Sequence, residues 1–225
     1  MSYFKTIEIS DPRFERDGLR QLTVKSRALK GRGDVSIFVP QEAGVNVPLV
    51  LLLHGVYGSH WAWAMKGGAH WTLRALIAAS KLDPCVLVMP SDGLWGDGSG
   101  YVAHPKQDFE QWIVEEVPRA VRETIDQASA DSPMFLAGLS MGGYGAMRLG
   151  AKYPERFWAF SGLSSVTRLQ DLSQFIDEEI DLEQVDTREI DLIDVLRDQS
   201  GRLPPFRFDC GTEDSLLDAN RLLHA

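Results

Sequence analysis

The sequence is poor in cysteine, in long apolar runs and in positive charge, and each shortage excludes a class of protein. Its two cysteines, Cys85 and Cys210, both fall in apolar runs typical of buried strands, so neither a disulfide framework nor a cysteine metal site is expected. No apolar run approaches the ~18 residues of a membrane-spanning helix, and residues 1–5 lack the charged-then-apolar pattern of a signal peptide. We therefore expect a cytoplasmic protein without a membrane span.

The negative charge is concentrated in one segment. The 225 residues carry 23 Lys and Arg against 32 Asp and Glu, a formal net charge of −9. Between Asp171 and Asp198, eleven acidic residues are opposed only by Arg188 and Arg197, so this segment accounts for the whole excess. No basic stripe is present elsewhere, so nucleic acid is not an expected partner.

Strand-like apolar runs alternate with helical patterns along the chain, which has the length of a single α/β domain over residues 1–225. The predicted strands are residues 21–28, 34–40, 49–53, 85–89, 134–137, 157–163 and 206–210. The predicted helices are residues 71–80, 109–126, 146–153 and 215–225. This alternation predicts a doubly wound, mostly parallel sheet with antiparallel N-terminal strands. In such a sheet, functional groups gather at the carboxyl ends of the strands.

Two features interrupt the regular alternation. Pro118 lies inside the predicted helix 109–126 and should kink it or split it in two. Residues 164–204 contain the acidic segment, whose apolar residues predict helices lying on the domain as a cap-like insertion. We interpret this insertion as a lid that disfavours anionic substrates; the alternative is a solvated surface face, which charge runs usually form.

A glycine-flanked serine at the end of one predicted strand is the strongest chemical signal. Residues 138–142 read Gly-Leu-Ser-Met-Gly, between the strand 134–137 and the helix 146–153. This is the G-x-S-x-G nucleophile elbow, in the strand-turn-helix context that it requires. Bulk at Gly138 or Gly142 would collide with the neighbouring strand or helix, and the turn forces Ser140 into a strained conformation. The alternative is a glycine-rich turn whose serine only caps the helix.

Two backbone N–H groups are candidates for an oxyanion hole. Met141 follows Ser140 at a helix N-terminus, where its N–H can face a developing negative charge. Val56 follows His54 and Gly55 after the third predicted strand, where the fold that carries this elbow places its second donor. We interpret His54 as a residue that holds this loop rather than as the base, because it precedes the serine in the chain.

A carboxylate that orients the base should follow the elbow, in a loop beyond a later strand. Asp214 fits this position, since it lies just after the predicted strand 206–210. Asp209 and Glu213 remain rivals. The alternative role of Asp214 is to cap the helix that follows it, for which aspartate is well suited.

The base itself is not evident among the histidines. His224 lies ten positions after Asp214 in a predicted helix, ~15 Å away along the helix axis. His60 and His104 lie in loops that could reach the site, and His70 begins a predicted helix. The simplest interpretation is that the base is absent from these 225 residues.

Four segments of the chain match the pattern of a known family. Residues 138–146 (GLSMGGYGA) resemble the nucleophile elbow of the esterase D family of α/β-hydrolases, and residues 52–60 (LLHGVYGSH) resemble its oxyanion loop. Residues 112–118 (WIVEEVP) resemble one of its helices, and residues 210–217 (CGTEDSLL) resemble its acid loop. The family includes S-formylglutathione hydrolases, tributyrin esterases, feruloyl esterases and mycolyltransferases. The resemblance implies the α/β-hydrolase fold and places the triad acid on Asp214. Family members continue into one more strand, a loop with the triad histidine and a last helix, which are missing here.

The resemblance also implies the function. We expect a serine carboxylesterase or thioesterase that acts on small acyl esters or thioesters through an acyl-enzyme on Ser140, without a cofactor. Because the triad histidine is not found, the alternative is a catalytically impaired or non-catalytic domain; a further alternative is acyl transfer to an alcohol. The missing strand would leave residues 206–210 as an open sheet edge, which favours association, so a homo-oligomer is among the expected states.

Overall fold

An eight-stranded sheet forms the centre of the structure, a computed structural model that describes residues 2–94, 96–180 and 185–225. In chain order the strands are β1 (Ile7–Ile9), β2 (Leu19–Lys25), β3 (Arg32–Phe38), β4 (Leu49–Leu53), β5 (Val86–Pro90), β6 (Met134–Leu139), β7 (Ala159–Leu163) and β8 (Phe206–Asp209). Their spatial order is β1-β2-β3-β5-β4-β6-β7-β8. The pairs up to β3–β5 are antiparallel and the pairs from β5 to β8 are parallel, so the predicted α/β sheet is confirmed.

The edge strand β1 does not follow from the sequence pattern. Its three residues are too few to show the period of a strand, and the pairing of Ile7 with Val24 and of Ile9 with Leu22 specifies it instead. The central strands are different, because helices cover both of their faces. All five residues of β5 are buried, which explains why it reads as a continuous apolar run.

The helices lie between the strands, as the alternation predicts. The α-helices of the described residues are α1 (Ala62–Met65), α2 (Ala69–Ala78), α3 (Phe109–Gln111), α4 (Val117–Thr124), α5 (Met141–Lys152), α6 (Leu192–Asp198) and α7 (Leu217–His224). The helix predicted over residues 109–126 is split by a π-helical turn, Trp112–Glu116, between α3 and α4. Pro118 lacks an N–H and its ring crowds the carbonyl four residues earlier, so the wider turn comes directly before it.

The acidic segment lies between β7 and β8. Its described part contains the 3₁₀ helices Leu169–Gln174 and Thr187–Glu189 and the helix α6; residues 181–184 of the predicted insertion lie outside the described residues. Several apolar side chains of the segment are part of the core: Leu172, Ile176, Val185, Ile190, Leu192 and Val195. The segment therefore packs onto the body of the protein, as its apolar residues predict, although much of it is 3₁₀ rather than α-helix.

A buried ion network joins α5 to the acidic segment. The fully buried Arg148 donates from Nη1 to Glu189 Oε2 at 2.8 Å, and its Nη2 is hydrogen-bonded to the carboxylate of Glu110. Lys152 Nζ lies 2.9 Å from Glu110 Oε1 and 2.7 Å from Glu189 Oε2. Burial raises the pKa of Glu110, but the charge of Arg148, a hydrogen bond from Tyr153 and the charge of Lys152 outweigh it and lower the pKa to about 2. Glu110 is therefore ionised at neutral pH, where it faces the buried guanidinium of Arg148.

The cysteines differ from the prediction in one respect. Both are free, as expected, but only Cys85 is buried, whereas Cys210 is half-buried. Cys210 follows β8, the edge strand of the described sheet, so no described strand covers its outer side. Burial raises the pKa of the Cys85 thiol to about 11, which keeps it protonated and unreactive at neutral pH.

Candidate active site

Ser140 joins β6 to α5 in a strained turn. Its backbone has φ 57° and ψ −117°, which a residue with a side chain rarely adopts, and its side chain makes no capping hydrogen bond to α5. Three hydrogen bonds hold the turn: the Ser140 N–H donates to the carbonyl of Leu163 at 2.9 Å, and the Ser140 carbonyl accepts from the N–H groups of Tyr144 at 3.0 Å and Val166 at 3.2 Å. The predicted elbow geometry is confirmed, and the alternative of a serine that caps the helix is not what the structure shows.

Glycine is required at two positions around Ser140, and a third glycine position is tightly packed. A methyl group on Gly138 would overlap the carbonyl oxygen of Gly142, and one on Gly142 would overlap the carbonyl oxygen of Leu53 at the end of β4. At Gly55 a methyl carbon would lie 3.3 Å from Ser140 Cβ and 3.8 Å from Ser140 Oγ. The absent side chains therefore let β4, the loop after it and α5 approach the serine closely.

The two candidate oxyanion donors are unoccupied backbone N–H groups. Met141 is the first residue of α5, so its N–H has no acceptor within the helix. The N–H of Val56 donates to no other residue in the part of the chain that the structure describes. A methyl group on Gly98 would lie 3.1 Å from Met141 Cε and 3.5 Å from Val56 Cγ1, so the loop around residue 98 packs against both residues.

His54 is held by both of its ring nitrogens. Nδ1 lies 2.7 Å from the carbonyl oxygen of Gly55 and Nε2 accepts from the N–H of Asp92 at 3.0 Å, so we assign the donor role to Nδ1. The buried Tyr101 hydroxyl donates to the His54 carbonyl at 2.9 Å. These contacts fit the predicted role of holding the loop, because neither ring nitrogen is left to accept a proton from Ser140.

A cleft of about 400 Å³ opens beside Ser140. Its walls include the apolar side chains of Val56, Ala62, Trp63 and Leu139, and Lys66 is the charged side chain that lines it among the described residues. Trp63 Nε1 donates to the carbonyl of Leu53 at 2.9 Å, which fastens α1 to the end of β4. Sequence patterns do not reveal the contribution of α1, because four residues are too short to show helical periodicity.

Asp214 lies beyond the carboxyl end of β8, where it contacts the start of the next helix. Its Oδ1 accepts from the N–H of Leu216 at 2.9 Å and its carbonyl accepts from the N–H of Leu217 at 3.0 Å. The N-cap of α7 is Leu216, without a side-chain capping hydrogen bond, so Asp214 forms a turn ahead of the helix and does not cap it. Of the two rivals, Asp209 is paired with Arg207 at 2.7 Å and Glu213 is exposed.

The hydrogen-bond partners of the histidines are not Ser140 or Asp214 in the described residues. Within residues 2–94, 96–180 and 185–225, no histidine makes a hydrogen bond or ion pair with either residue. The four besides His54 have other neighbours: His60 Nδ1 lies 2.8 Å from Ser36 Oγ, His104 Nε2 lies 2.9 Å from the Ser99 carbonyl, His70 packs against Phe38, and His224 packs against Phe208. The two loop histidines that could have reached the site are therefore occupied elsewhere.

The beginning of the acidic segment borders the cleft. Tyr57, which lines the cleft, donates from its hydroxyl to the carbonyl of Phe175. The N–H of Asp97 donates to Glu178 Oε1 at 2.7 Å, and Asp97 Oδ2 accepts from the N–H of Asp177 at 3.1 Å. These contacts join the acidic segment to Asp97, whose carbonyl accepts from the N–H of the cleft residue Tyr57 at 2.8 Å. No described helix has the length and apolar content that a membrane span needs.

Comparisons with known proteins agree on one family. Residues 26–222 match the family model Esterase, described as "Putative esterase". The chain is 25% identical over 202 residues to the acetyl esterase of Caldicellulosiruptor saccharolyticus, an alignment that covers 78% of this chain and 69% of that protein. Its fold is similar to that of a ferulic acid esterase, with a TM-score of 0.74, 21% identity and coverage of 98% of this chain and 84% of that one.

A second solved structure has the same fold. An S-formylglutathione hydrolase from Agrobacterium tumefaciens superposes with a TM-score of 0.70 and 22% identity, over 97% of this chain and 82% of that one. The resemblance to esterase D-like proteins and the predicted hydrolase fold are therefore confirmed. Because the family model covers most of the sequence, the chain belongs to the Esterase family and is an ester hydrolase.

Proposed function

We propose that the protein is a serine carboxylesterase that acts on small acyl esters or thioesters through an acyl-enzyme on Ser140. The observation that carries this proposal is the strained Ser140 at the junction of β6 and α5, facing an apolar cleft of about 400 Å³. A cleft of this size suits a short acyl chain. The compared proteins are named acetyl esterase and ferulic acid esterase, and these names describe enzymes that act on small esters.

The reaction takes place in two steps. Ser140 Oγ attacks the acyl carbonyl carbon, the N–H groups of Met141 and Val56 donate to the developing oxyanion, and the hydroxyl proton leaves with the alcohol or thiol. Water then attacks the Ser140 ester, which releases the acid and restores the hydroxyl. We assign the orienting carboxylate to Asp214, with His54, Gly55, Gly138 and Gly142 supporting the loop and the turn.

Covalent labelling tests the nucleophile directly. We expect a fluorophosphonate probe to phosphonylate Ser140 selectively, because the turn exposes its hydroxyl beside two free N–H donors. Mass spectrometry of the digested protein locates the added group. A protein that takes up no probe, or that carries it on other serines in equal amounts, would contradict the proposal.

A second candidate is a hydrolase-fold domain that binds or traps an acyl group without turnover. It is favoured by one observation: in the described part of the chain, no histidine is hydrogen-bonded to Ser140 or Asp214. Residual catalysis from an oxyanion hole and binding alone is still ~10³–10⁴ over the reaction in water. Release of one equivalent of chromophore from a neutral nitrophenyl ester, without a steady state, would identify this candidate; continuous turnover would exclude it.

The acidic segment predicts a preference for uncharged substrates. Its residues Asp177 and Glu178 contact Asp97, next to the cleft residue Tyr57, and the segment has a large negative excess. At low salt we expect kcat/KM for a neutral acyl ester to exceed that for a matched anionic ester several-fold, and the ratio to fall at high salt because added ions screen the acidic segment.

Two variants that each remove one negative charge test whether the discrimination between neutral and anionic esters depends on where that charge lies. Asp177→Asn should reduce the discrimination about twofold, whereas Asp194→Asn, an exposed change on α6, should leave it unchanged. If the ratio of rates is the same at low and high salt, the acidic segment does not act as an electrostatic lid.

A further inference from the structure

We propose that Asp92, through its buried carboxylate, is a positioning residue for the oxyanion hole. Asp92 lies two residues after β5, is 4% exposed and does not line the cleft. It belongs to a segment that we call the aspartate loop, described over residues 92–94 and 96–101. The inference rests on the proposed function, because it concerns the N–H donors that the acyl-enzyme reaction uses.

The carboxylate of Asp92 holds the aspartate loop from the inside. Its Oδ1 accepts from the N–H of Leu94 at 3.1 Å and its Oδ2 accepts from the N–H of Ser99 at 2.7 Å. Ser99 is fully buried, and its hydroxyl oxygen accepts from the N–H of Tyr101 at 3.1 Å. A carboxylate out of contact with water needs such partners, because an unpaired buried oxygen is costly. One side chain thus ties the beginning of the loop to its end.

The aspartate loop holds the oxyanion loop on the side before Val56. The N–H of Asp92 donates to His54 Nε2 at 3.0 Å, and the fully buried Tyr101 donates from its hydroxyl to the His54 carbonyl at 2.9 Å. The rings of His54 and Tyr101 also pack edge to face, with centroids 5.9 Å apart. The backbone that leads to the Val56 N–H is therefore fixed by groups of the loop that Asp92 organises.

The same loop holds the chain on the side after Val56. The N–H of Tyr57 donates to the carbonyl of Asp97 at 2.8 Å. Tyr57 has φ 57°, in the left-handed region, so this hydrogen bond helps to keep an uncommon backbone conformation. A methyl group on Gly98 would lie 3.1 Å from Met141 Cε and 3.5 Å from Val56 Cγ1. One loop thus backs both candidate oxyanion donors.

Displacement of this loop should affect the transition state more than substrate binding. An oxyanion donor acts only when its N–H is aimed at the place where the charge develops, whereas the apolar walls of the cleft hold the ester before the reaction. Asparagine at position 92 offers one acceptor and one donor in place of two acceptors. Asp92→Asn therefore loses one of the two bonds that close the loop and sets a side-chain N–H against a backbone N–H.

Pre-steady-state release of nitrophenol from a neutral nitrophenyl ester tests the inference. It measures the acylation rate constant at saturation, the half-saturating ester concentration and the burst amplitude, which counts the active protein. In Asp92→Asn we expect the rate constant to fall about 10- to 100-fold, less than the ~10²–10³-fold loss for deletion of a whole donor. The half-saturating concentration should stay within about twofold, since binding is unchanged.

Glu116→Gln is the matched control. Glu116 is also a buried carboxylate that fixes a loop, because its Oε1 accepts from the N–H groups of Arg27 at 3.1 Å and Ala28 at 3.2 Å. That loop does not line the cleft, so the acylation rate constant should match that of the unmodified protein. A role in folding alone lowers the burst amplitude and the free energy of unfolding of a variant, and leaves its rate constant unchanged.

An acylation rate constant that stays the same in Asp92→Asn, while the unmodified protein forms the acyl-enzyme, would overturn the inference alone. Equal falls in Asp92→Asn and Glu116→Gln would overturn it too, because the effect would then be general. Asp92→Ser, whose hydroxyl can still accept from Leu94, takes the place of an amide variant that does not fold; if neither folds, Asp92 serves folding and the inference is wrong. If the unmodified protein gives no burst and takes up no fluorophosphonate, the proposed function fails and the inference fails with it.

Discussion

Replacing Ser140 with alanine is expected to lower the rate of hydrolysis of short neutral esters at least ~10³-fold, because the nucleophile is lost. The oxyanion donors and the cleft remain, so residual catalysis is expected. The change removes only one oxygen from a residue whose side chain makes no capping hydrogen bond, so the fold should be retained. Rates measured with a neutral nitrophenyl ester, together with loss of fluorophosphonate labelling, check the expectation.

Ser80→Ala is the matched control for Ser140→Ala. Ser80 is also a serine with positive φ, 53°, but it is exposed after α2 and is not part of the cleft lining. It should leave rate and labelling unchanged. If Ser140→Ala retains the rate of the unmodified protein while Ser140 is labelled in that protein, the hydrolysis does not pass through an acyl-enzyme on this residue.

Replacing Arg148 with methionine is expected to lower the free energy of unfolding by about 3–5 kcal/mol. Arg148 is fully buried, and without its charge the carboxylates of Glu110 and Glu189 would lose their main cationic partner inside the protein. Lys152 still contacts both carboxylates but is a more exposed partner. Urea unfolding at neutral pH measures the change, and a loss below about 1 kcal/mol would contradict it.

Two further variants separate the charge effect from the loss of packing. Glu110→Gln combined with Arg148→Met removes one of the carboxylates left unpaired, so it should recover part of the lost stability. Arg188→Met also deletes an arginine from an ion pair, with Asp186, but both side chains are largely exposed. Its free energy of unfolding should match that of the unmodified protein, because water replaces the contact.

Local patterns were sufficient for much of the fold. The strands β4 and β5 read as continuous apolar runs because they are covered on both faces, and the turn at Ser140 reads as an elbow because only glycine fits at 138 and 142. The split at Pro118 also follows from a single residue, through its missing N–H. In contrast, the three residues of β1 are too few to show the alternation of apolar and polar residues that marks a strand. This segment is a strand because it pairs with β2.

The residues of the candidate site also form two groups: some follow from local sequence, and others depend on tertiary packing. The sequence predicts Ser140, Met141, Val56 and Gly55, because their places depend on short motifs next to strand ends. Trp63 and Lys66 were not, since α1 contributes to the cleft only through its packing against the end of β4.

From the order of its residues alone, the chain determines a hydrolase elbow: a strand, a serine between glycines and a helix, whose geometry depends on bonds and sterics within a few residues. Only the tertiary structure decides what surrounds that serine. It places His60 and His104 against other partners, turns Asp214 toward the start of α7, and joins the acidic residues 177 and 178 to Asp97. These placements depend on contacts between residues far apart in the chain, which no local pattern records.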